Sequence, residues 1–142
     1  MIKIRYYNSN DYGPIKTILE ESNLFDDVWD SKKNILSIIE NDPEYAIVAL
    51  ENDKVVGCVF IVPYGAEAAN LFRLTVKKDK RGAGIGTKLL EHAEDVVRNK
   101  GYKEVGLYVD KTDENLKNFY KKRKYVTSGK PYVYMYKPVK IP

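Results

Sequence analysis

With 142 residues the chain has the length of a single domain, 1–142, and 44% hydrophobic with 31% charged residues is the balance of a folded globular protein. A net charge of +4 favours anionic partners but is too small to indicate a nucleic-acid-binding protein. The apolar run 55–63 is too short to span a bilayer and the single cysteine, Cys58, cannot form an internal disulfide, so we expect a cytoplasmic protein with no membrane segment.

The first half of the chain predicts a strand, two helices and a strand pair. Asp11 and Ser31 stand where a helix-capping side chain belongs, each ahead of apolar residues at helical spacing. Asn52 and Asp53, between two apolar runs, are typical of a tight hairpin turn. In chain order we expect a strand at 2–7, helices from 11 to about 23 and from 31 to before 43, and strands at 45–50 and 54–62.

The second half alternates strands with helices. Apolar residues between 85 and 97 recur at helical spacing, and Gly101 is suited to end that helix. We expect strands at 70–76 and 104–109, helices at about 84–100 and 113–123, and a closing hairpin of 125–128 with 132–137. Strand–helix–strand connections normally join parallel neighbours. The predicted fold class is therefore α/β, a mixed sheet with helices on both faces.

Three alternate glycines lie between the strand at 70–76 and the helix that follows it. The run is Arg81-Gly82-Ala83-Gly84-Ile85-Gly86-Thr87. Glycines leave main-chain N–H groups unshielded, and a helix N-terminus adds unpaired donors and a partial positive charge. Such a loop can hold a phosphate or pyrophosphate, with Lys80 and Arg81 adding charge and Thr87 a hydroxyl.

Two well-known nucleotide-binding loops match this glycine run less well. A Walker P-loop requires a hydroxyl residue where Leu89 follows Lys88. A dinucleotide-binding loop requires a third glycine at the position of Thr87 and a strand that leads directly into the loop. A turn whose glycines merely allow close helix packing would not need the basic residues beside it.

Two stretches resemble motifs of the GNAT superfamily of N-acetyltransferases. Residues 74–90 resemble its acetyl-CoA motif, an Arg/Gln-x-x-Gly-x-Gly/Ala loop after an apolar strand. Residues 119–125 resemble its second motif, a helix with a tyrosine shortly before a Gly-Phe pair, although Lys124-Tyr125 stands here in place of Gly-Phe. The resemblance implies a mixed, mostly antiparallel twisted sheet with about four helices and a central pair of parallel strands.

The resemblance also implies roles for residues of this chain. The donor would be acetyl-CoA, the acceptor a primary amine of a small molecule, peptide or protein, and no metal would take part. Tyr120 matches the tyrosine that protonates the departing CoA thiolate, and Asp113 matches an asparagine that contacts the pantetheine, with Asn115 as an alternative. The other cofactor-binding positions are Leu74, Thr75 and Val76, which match the pantetheine-binding strand, and Arg81, Gly82, Ala83, Gly84, Ile85, Gly86 and Thr87, which match the pyrophosphate loop.

The chemistry requires few groups beyond these. An amide N–H of the cofactor strand can stabilise the oxyanion, and positioning supplies much of the rate. Family members often place an acidic general base early on that strand, where this chain has Asn70, with Glu67 just upstream. Glu67 and a proton-relaying water both stay open as the base.

The segment 24–30 combines large aromatic residues with three acids between the first two helices. Two interpretations stay open: since this region commonly lines the acceptor side in GNAT folds, Asp26, Asp27 and Asp30 would attract a cationic amine and Trp29 would stack on it. The alternative is a capping loop whose aromatic residues pack in the core.

The predicted function is therefore an N-acetyltransferase. The alternative is a CoA-binding module without turnover, and a basic nucleic-acid-binding domain is a weaker third. We expect Cys58 to be a buried packing residue and His92 to be solvated on its helix. The partners are acetyl-CoA and an amine acceptor, with a homodimer left open.

Overall fold

The structure is a computed structural model in which residues 1–131 and 133–139 are described. The chain divides into two units, Met1–Leu107 and Tyr108–Pro142. The first unit contains a five-stranded sheet with three α-helices, and the second contains one α-helix. The strands are β1 (Ile2–Tyr6), β2 (Ala46–Glu51), β3 (Lys54–Tyr64), β4 (Ala68–Val76) and β5 (Glu104–Gly106), and the helices are α1 (Tyr12–Glu21), α2 (Lys32–Asn41), α3 (Ile85–Asn99) and α4 (Glu114–Lys121).

The sheet is mixed and mostly antiparallel, as predicted. Its strands lie in the order β1-β2-β3-β4-β5. The first three neighbouring pairs are antiparallel and β4–β5 is parallel. The parallel pair, expected at the centre, lies at the end of the strand order in the part of the chain that is described.

Helices cover both faces of this sheet. One hydrophobic cluster joins Ile15 and Leu19 of α1 and Ile35 of α2 to Cys58 and Phe60 of β3. The neighbouring Gly57 faces the opposite side, where an added Cβ would lie 3.0 Å from Leu89 of α3. Alternate residues of β3 therefore face opposite sides of the sheet, one side covered by α1 and α2 and the other by α3.

Local sequence explains most of the boundaries. Asn52 and Asp53 have φ of 51° and 63°, as a type I′ hairpin turn requires. The Ser31 hydroxyl accepts from the N–H of Asn34 at 3.1 Å and caps α2. Asp11 does not cap α1 with its side chain, because its carboxylate accepts from the guanidinium of Arg5 and from the N–H of Asn8.

Three predicted strands differ from the structure. The strand expected at 104–109 ends at Gly106, where β5 parts from β4. No strand forms among residues 125–131 and 133–139 of the predicted closing hairpin, and Tyr132 lies outside the described residues. An alternating pattern by itself does not make a strand, because a strand also requires a hydrogen-bonded partner strand, which the pattern does not specify.

Candidate active site

Strand β4 has an open edge beyond a short pairing with β5. The parallel pairing runs from Ala68 with Glu104 to Asn70 with Gly106, while β4 continues to Val76. A Cβ on Gly106 would lie 2.9 Å from Oδ1 of Asn70, so glycine allows the close approach at this fork. The open edge presents main-chain groups to an extended ligand, as a sheet edge does for an added strand.

The hydrogen bonds at the end of β4 show which main-chain groups face the open edge. Lys77 N donates to Val56 O across the β3–β4 pair at 2.8 Å. Because successive main-chain groups alternate sides in a strand, those of Val76 point away from β3. Arg81 Nε donates to the Val76 carbonyl at 3.0 Å from that side.

The glycine loop follows after a 3-10 turn at Lys78–Lys80. Gly82 and Gly84 have φ of 84° and 83°, in the left-handed region that favours glycine. An added Cβ at either position would meet no described atom within 4 Å. Glycine is therefore favoured here by the backbone conformation, and the space beside both α-carbons is open among the described residues.

Helix α3 begins at this loop without a side-chain cap. Its N-cap is Gly84, and the helical hydrogen bonds start with Lys88 N to Gly84 O at 3.1 Å. The hydroxyl of Ser31 and the carboxylate of Asp113 cap α2 and α4 instead. The first N–H groups of α3 therefore point out of the helix end, and together with the helix dipole they fit a phosphate group.

The basic residues beside the loop have protein partners. Lys80 pairs with Glu51 at 2.6 Å, and the Lys77 ammonium lies 3.8 Å from Asp79. Arg81 Nη2 donates to the Ser22 hydroxyl at 2.9 Å, so Arg81 links the loop to the end of α1. The basic side chains predicted to add charge at the mouth of the loop, Lys80 and Arg81, are thus both engaged with protein groups.

In the second unit, Tyr120 lies on the buried side of α4. It is 7% exposed, and its ring contacts the rings of Phe119 and Tyr125 with centroids 5.1 and 5.4 Å apart. Burial raises the pKa of Tyr120 to about 12, with Arg123 acting weakly in the opposite direction. The phenol therefore stays protonated at neutral pH and is able to donate a proton.

The turn at the end of α4 forms although Lys124-Tyr125 stands in place of the family's Gly-Phe pair. Tyr125 N donates to Tyr120 O at 3.1 Å and Lys124 N to Lys121 O at 3.0 Å, the bonds of a Schellman motif. Lys124 takes the left-handed position with φ of 72°. Tyr125 supplies the apolar contact on Tyr120, so the turn is preserved at the cost of some strain at Lys124.

Asp113 has a structural task in the same unit. Its Oδ1 accepts from Leu116 N at 2.9 Å, which makes it the N-cap of α4. A contact of Asp113 with pantetheine stays a prediction.

The acids of the segment 24–30 do not form the cationic-amine site expected from the sequence. Asp30 is 1% exposed, and its carboxylate accepts two bonds from Arg73, each 2.9 Å long. Oδ1 of Asp26 accepts from the N–H groups of Val28 and Trp29. These two carboxylates stabilise the loop itself, and only Asp27 of the three has no such role in the structure as described.

The same loop instead exposes apolar side chains. Leu24, Val28 and Trp29 are 39%, 76% and 45% exposed. The Trp29 ring lies 6.1 Å from Phe72 on β4, and Phe72 also lies under the Arg73 guanidinium at 4.7 Å. The loop thus packs against β4 just before the stretch 74–76.

Arg73 lies beside the site and was not among the residues predicted from the sequence. The sequence feature that could have indicated it is a charged residue inside an apolar strand, between Phe72 and Leu74. A charge in such a place requires a partner.

The remaining predicted residues have clear places. Glu67 pairs with Lys103 at 2.9 Å on the surface, where both side chains are more than two-thirds exposed, so it does not fit a positioned base. Cys58 is buried, and burial raises the pKa of its thiol to about 12, as suits a packing residue. His92 is half-buried rather than solvated, with its ring 5.8 Å from Tyr6.

The sequence pattern of the Acetyltransferase (GNAT) family matches residues 10–125. The chain belongs to this family. N-alpha-acetyltransferase 30 of Schizosaccharomyces pombe is 34% identical over 85 residues, 56% of this chain and 56% of that protein, so the chain spans about half that relative's length. An acetyltransferase of Pectobacterium atrosepticum is 26% identical over 126 residues, 89% of both chains.

The fold of this GNAT protein agrees with solved structures. The PaiA N-acetyltransferase of Thermoplasma acidophilum, in complex with coenzyme A, matches with a TM-score of 0.76 at 23% identity over 87% of this chain and 88% of that chain. The chain is therefore an acetyltransferase, which confirms the predicted class of enzyme. No helix among the described residues is long and apolar enough to cross a membrane.

Gly86→Val tests the glycine cradle proposed for this GNAT enzyme. Gly86 lies in the first turn of α3 and does not have a positive φ, whereas Gly84 has a φ of 83°, where any side chain would be strained. We expect acetyl-CoA binding to weaken by about 2 kcal/mol, roughly 30-fold in Kd, because a side chain would displace the pyrophosphate from charge-assisted bonds. Calorimetric titration measures this change.

The matched control is Gly13→Val, since Gly13 lies in the first turn of α1, where an added Cβ would meet nothing within 4 Å. That variant should bind acetyl-CoA as wild type does. A folded Gly86→Val protein with unchanged affinity would remove the cradle from the cofactor site.

Proposed function

We propose that this GNAT enzyme acetylates the α-amine of a peptide or protein N-terminus that carries apolar side chains. The observation that carries the proposal is the apolar surface of the α1–α2 loop, with Leu24, Val28 and Trp29 exposed beside β4. Two of the three carboxylates that would favour a polyamine are engaged, Asp30 by Arg73 and Asp26 by main-chain N–H groups. Similarity to an N-alpha-acetyltransferase supports the same acceptor class.

The donor site follows from the geometry of the first unit. Residues 82–87 would hold the pyrophosphate, with Arg81 orienting the loop, and the open edge of β4 at Leu74, Thr75 and Val76 would bond the pantetheine arm. The uncapped start of α3 and the positive φ of the glycines support this assignment. Asp113 is kept as a pantetheine contact by resemblance alone.

The reaction would need one general acid from the protein. The neutral amine attacks the thioester carbonyl, the C–S bond breaks, and the amine gives up a proton to water. Tyr120 would donate its proton to the departing thiolate, supported by its burial and its raised pKa. We propose that both units act together as one domain, since the family match at residues 10–125 includes parts of each. A cytoplasmic location stays a prediction from the single cysteine.

A panel of acceptors with purified enzyme and acetyl-CoA tests the proposal through release of CoA thiol. The panel contains two peptides with a free N-terminus, one with leucine and one with aspartate after the first residue. It also contains N-terminally blocked versions of both that carry an internal lysine, and spermidine. We expect kcat/KM for the leucine peptide to exceed that for the aspartate peptide by about tenfold or more, the scale of burying one apolar side chain. Preference for spermidine or for the lysine of blocked peptides would overturn the proposal.

Trp29→Ala links that preference to the loop. It should raise the KM for the leucine peptide several-fold and leave the Kd of acetyl-CoA unchanged, because the ring is expected to contact the acceptor and not the donor. Tyr64 is also exposed and pairs with Ala68, at the end of β4 away from residues 74–76, so Tyr64→Ala serves as the control for loss of an exposed aromatic side chain.

A further inference from the structure

Strand β4 carries one extra residue where it pairs with β3. The register shifts by one between Cys58 and Phe60, so Arg73 and Leu74 together stand opposite a single residue of β3. Arg73 has a φ of 56°, in the left-handed region that only glycine enters without cost. A residue of any other type stays there only when its surroundings outweigh the strain.

A buried ion pair supplies that restraint. Arg73 donates from Nε to Oδ1 of Asp30 and from Nη2 to Oδ2, each at 2.9 Å. The same carboxylate accepts from Asp26 N at 2.9 Å, and the Asp30 carbonyl accepts from the Tyr12 hydroxyl at 2.9 Å. Asp30 is thus fixed from three sides, and its fixed carboxylate determines the position of Arg73.

The bulge directly precedes the stretch of β4 that is assigned to the donor. Because main-chain groups alternate sides along a strand, one inserted residue reverses which of the following groups face β3 and which face the open edge. The Val76 carbonyl, which accepts from Arg81, is one of the groups on the open edge. Loss of the bulge would therefore change which main-chain groups between Leu74 and Val76 meet a ligand.

We propose that Asp30 is a positioning residue for acetyl transfer: through Arg73 it holds the β4 bulge, and the bulge aims a main-chain N–H of residues 74–76 at the thioester carbonyl. The inference rests on the proposed function, which takes this strand as the donor site. In this positioning role, neither Asp30 nor Arg73 touches the reacting atoms. Replacing a buried ion pair by apolar side chains is often neutral or stabilising, so stability alone does not explain this pair. A positioning role does.

Asp30→Asn tests the proposal in the full chain. It removes the charge that fixes Arg73 while retaining an oxygen acceptor. We expect the ratio of the affinity for acetyl-CoA to that for CoA to fall about threefold to tenfold, the size of one neutral hydrogen bond. The infrared band of acetyl-CoA labelled with carbon-13 at the carbonyl should move toward its position in water, and kcat should fall on the order of 100-fold.

The double variant Asp30→Asn/Arg73→Gly separates positioning from other roles. Glycine adopts the bulge conformation without strain, so the affinity ratio and the carbonyl band should return most of the way to wild type. Arg98→Gln, which breaks the exposed pair with Asp95, should change neither readout. A structural role alone would lower stability and leave both readouts in place.

An unchanged affinity ratio and carbonyl band in folded Asp30→Asn would overturn the inference, and so would the lack of rescue by Arg73→Gly. If Asp30→Asn does not fold, Arg73→Lys retains the charge but loses the two-pronged contact, and it should shift both readouts in the same direction. Unchanged readouts in Arg73→Lys would then overturn the inference. Wild-type enzyme that does not bind acetyl-CoA would instead reject the proposed function.

Discussion

Asp30→Ala is expected to lower the free energy of unfolding by about 3 kcal/mol or more, the cost of removing one partner from a buried ion pair. Asp30 is 1% exposed, and the Arg73 side chain is 18% exposed. Without the carboxylate, the guanidinium keeps its charge in a desolvated place, and Asp26 N loses its acceptor. Urea unfolding followed by circular dichroism measures the difference.

An exposed ion pair provides the comparison for this prediction. Asp95 and Arg98 lie 2.7 Å apart on α3, with side chains 68% and 69% exposed. Asp95→Ala should therefore change the stability by less than about 0.5 kcal/mol, because water screens the pair. If Asp30→Ala cost no more than Asp95→Ala, the buried pair would not hold the α1–α2 loop to β4.

Tyr120→Phe should lower kcat by about ten- to a thousandfold while leaving acetyl-CoA binding nearly intact, because the ring still packs and only one hydroxyl is lost. The relative acidity of the phenol and the CoA thiol favours a loss near tenfold. A phenol whose pKa is about 12 is a weaker acid than a thiol, whose pKa is ordinarily about 8.5. Proton transfer to the thiolate is therefore uphill, and water can replace part of the function.

The pH profile of the wild-type enzyme provides a second check on Tyr120. The acid form of the phenol persists below its raised pKa of about 12, so kcat should not fall between pH 7 and about 10 through loss of this proton. The decisive comparison is kcat against the Kd of acetyl-CoA in the same variant. Steady kcat with weakened binding would make Tyr120 a wall of the CoA site and not its acid.

Most elements were predictable because local interactions determine them. The turn at Asn52 and Asp53 needs two residues that tolerate positive φ, and the sequence has them there. Ser31 and Asp11 both lie at the predicted N-cap positions, but only Ser31 caps with its side chain, since Arg5 from another element pairs with the Asp11 carboxylate. Competition from a neighbour in space is not encoded in the capping pattern itself.

The acceptor side was predicted least well. The acids of residues 24–30 suggested a cationic amine, and packing instead engages Asp30 with a partner 43 positions later in the chain. The exposed apolar side chains of the same loop became significant only when the loop was seen beside Phe72. Local composition shows which groups are present, and the fold decides which of them remain available to a substrate.

By itself the sequence determined the family and the conformation of the glycine loop, because alternate glycines at a helix start adopt their positive φ angles through short-range geometry alone. Only the tertiary structure decided the open edge of β4, the bulge at Arg73 and the role of Asp30. Those features arise where strands diverge or where distant side chains are buried together. Their free energy comes from desolvation and pairing between residues far apart in the chain, which no local pattern specifies.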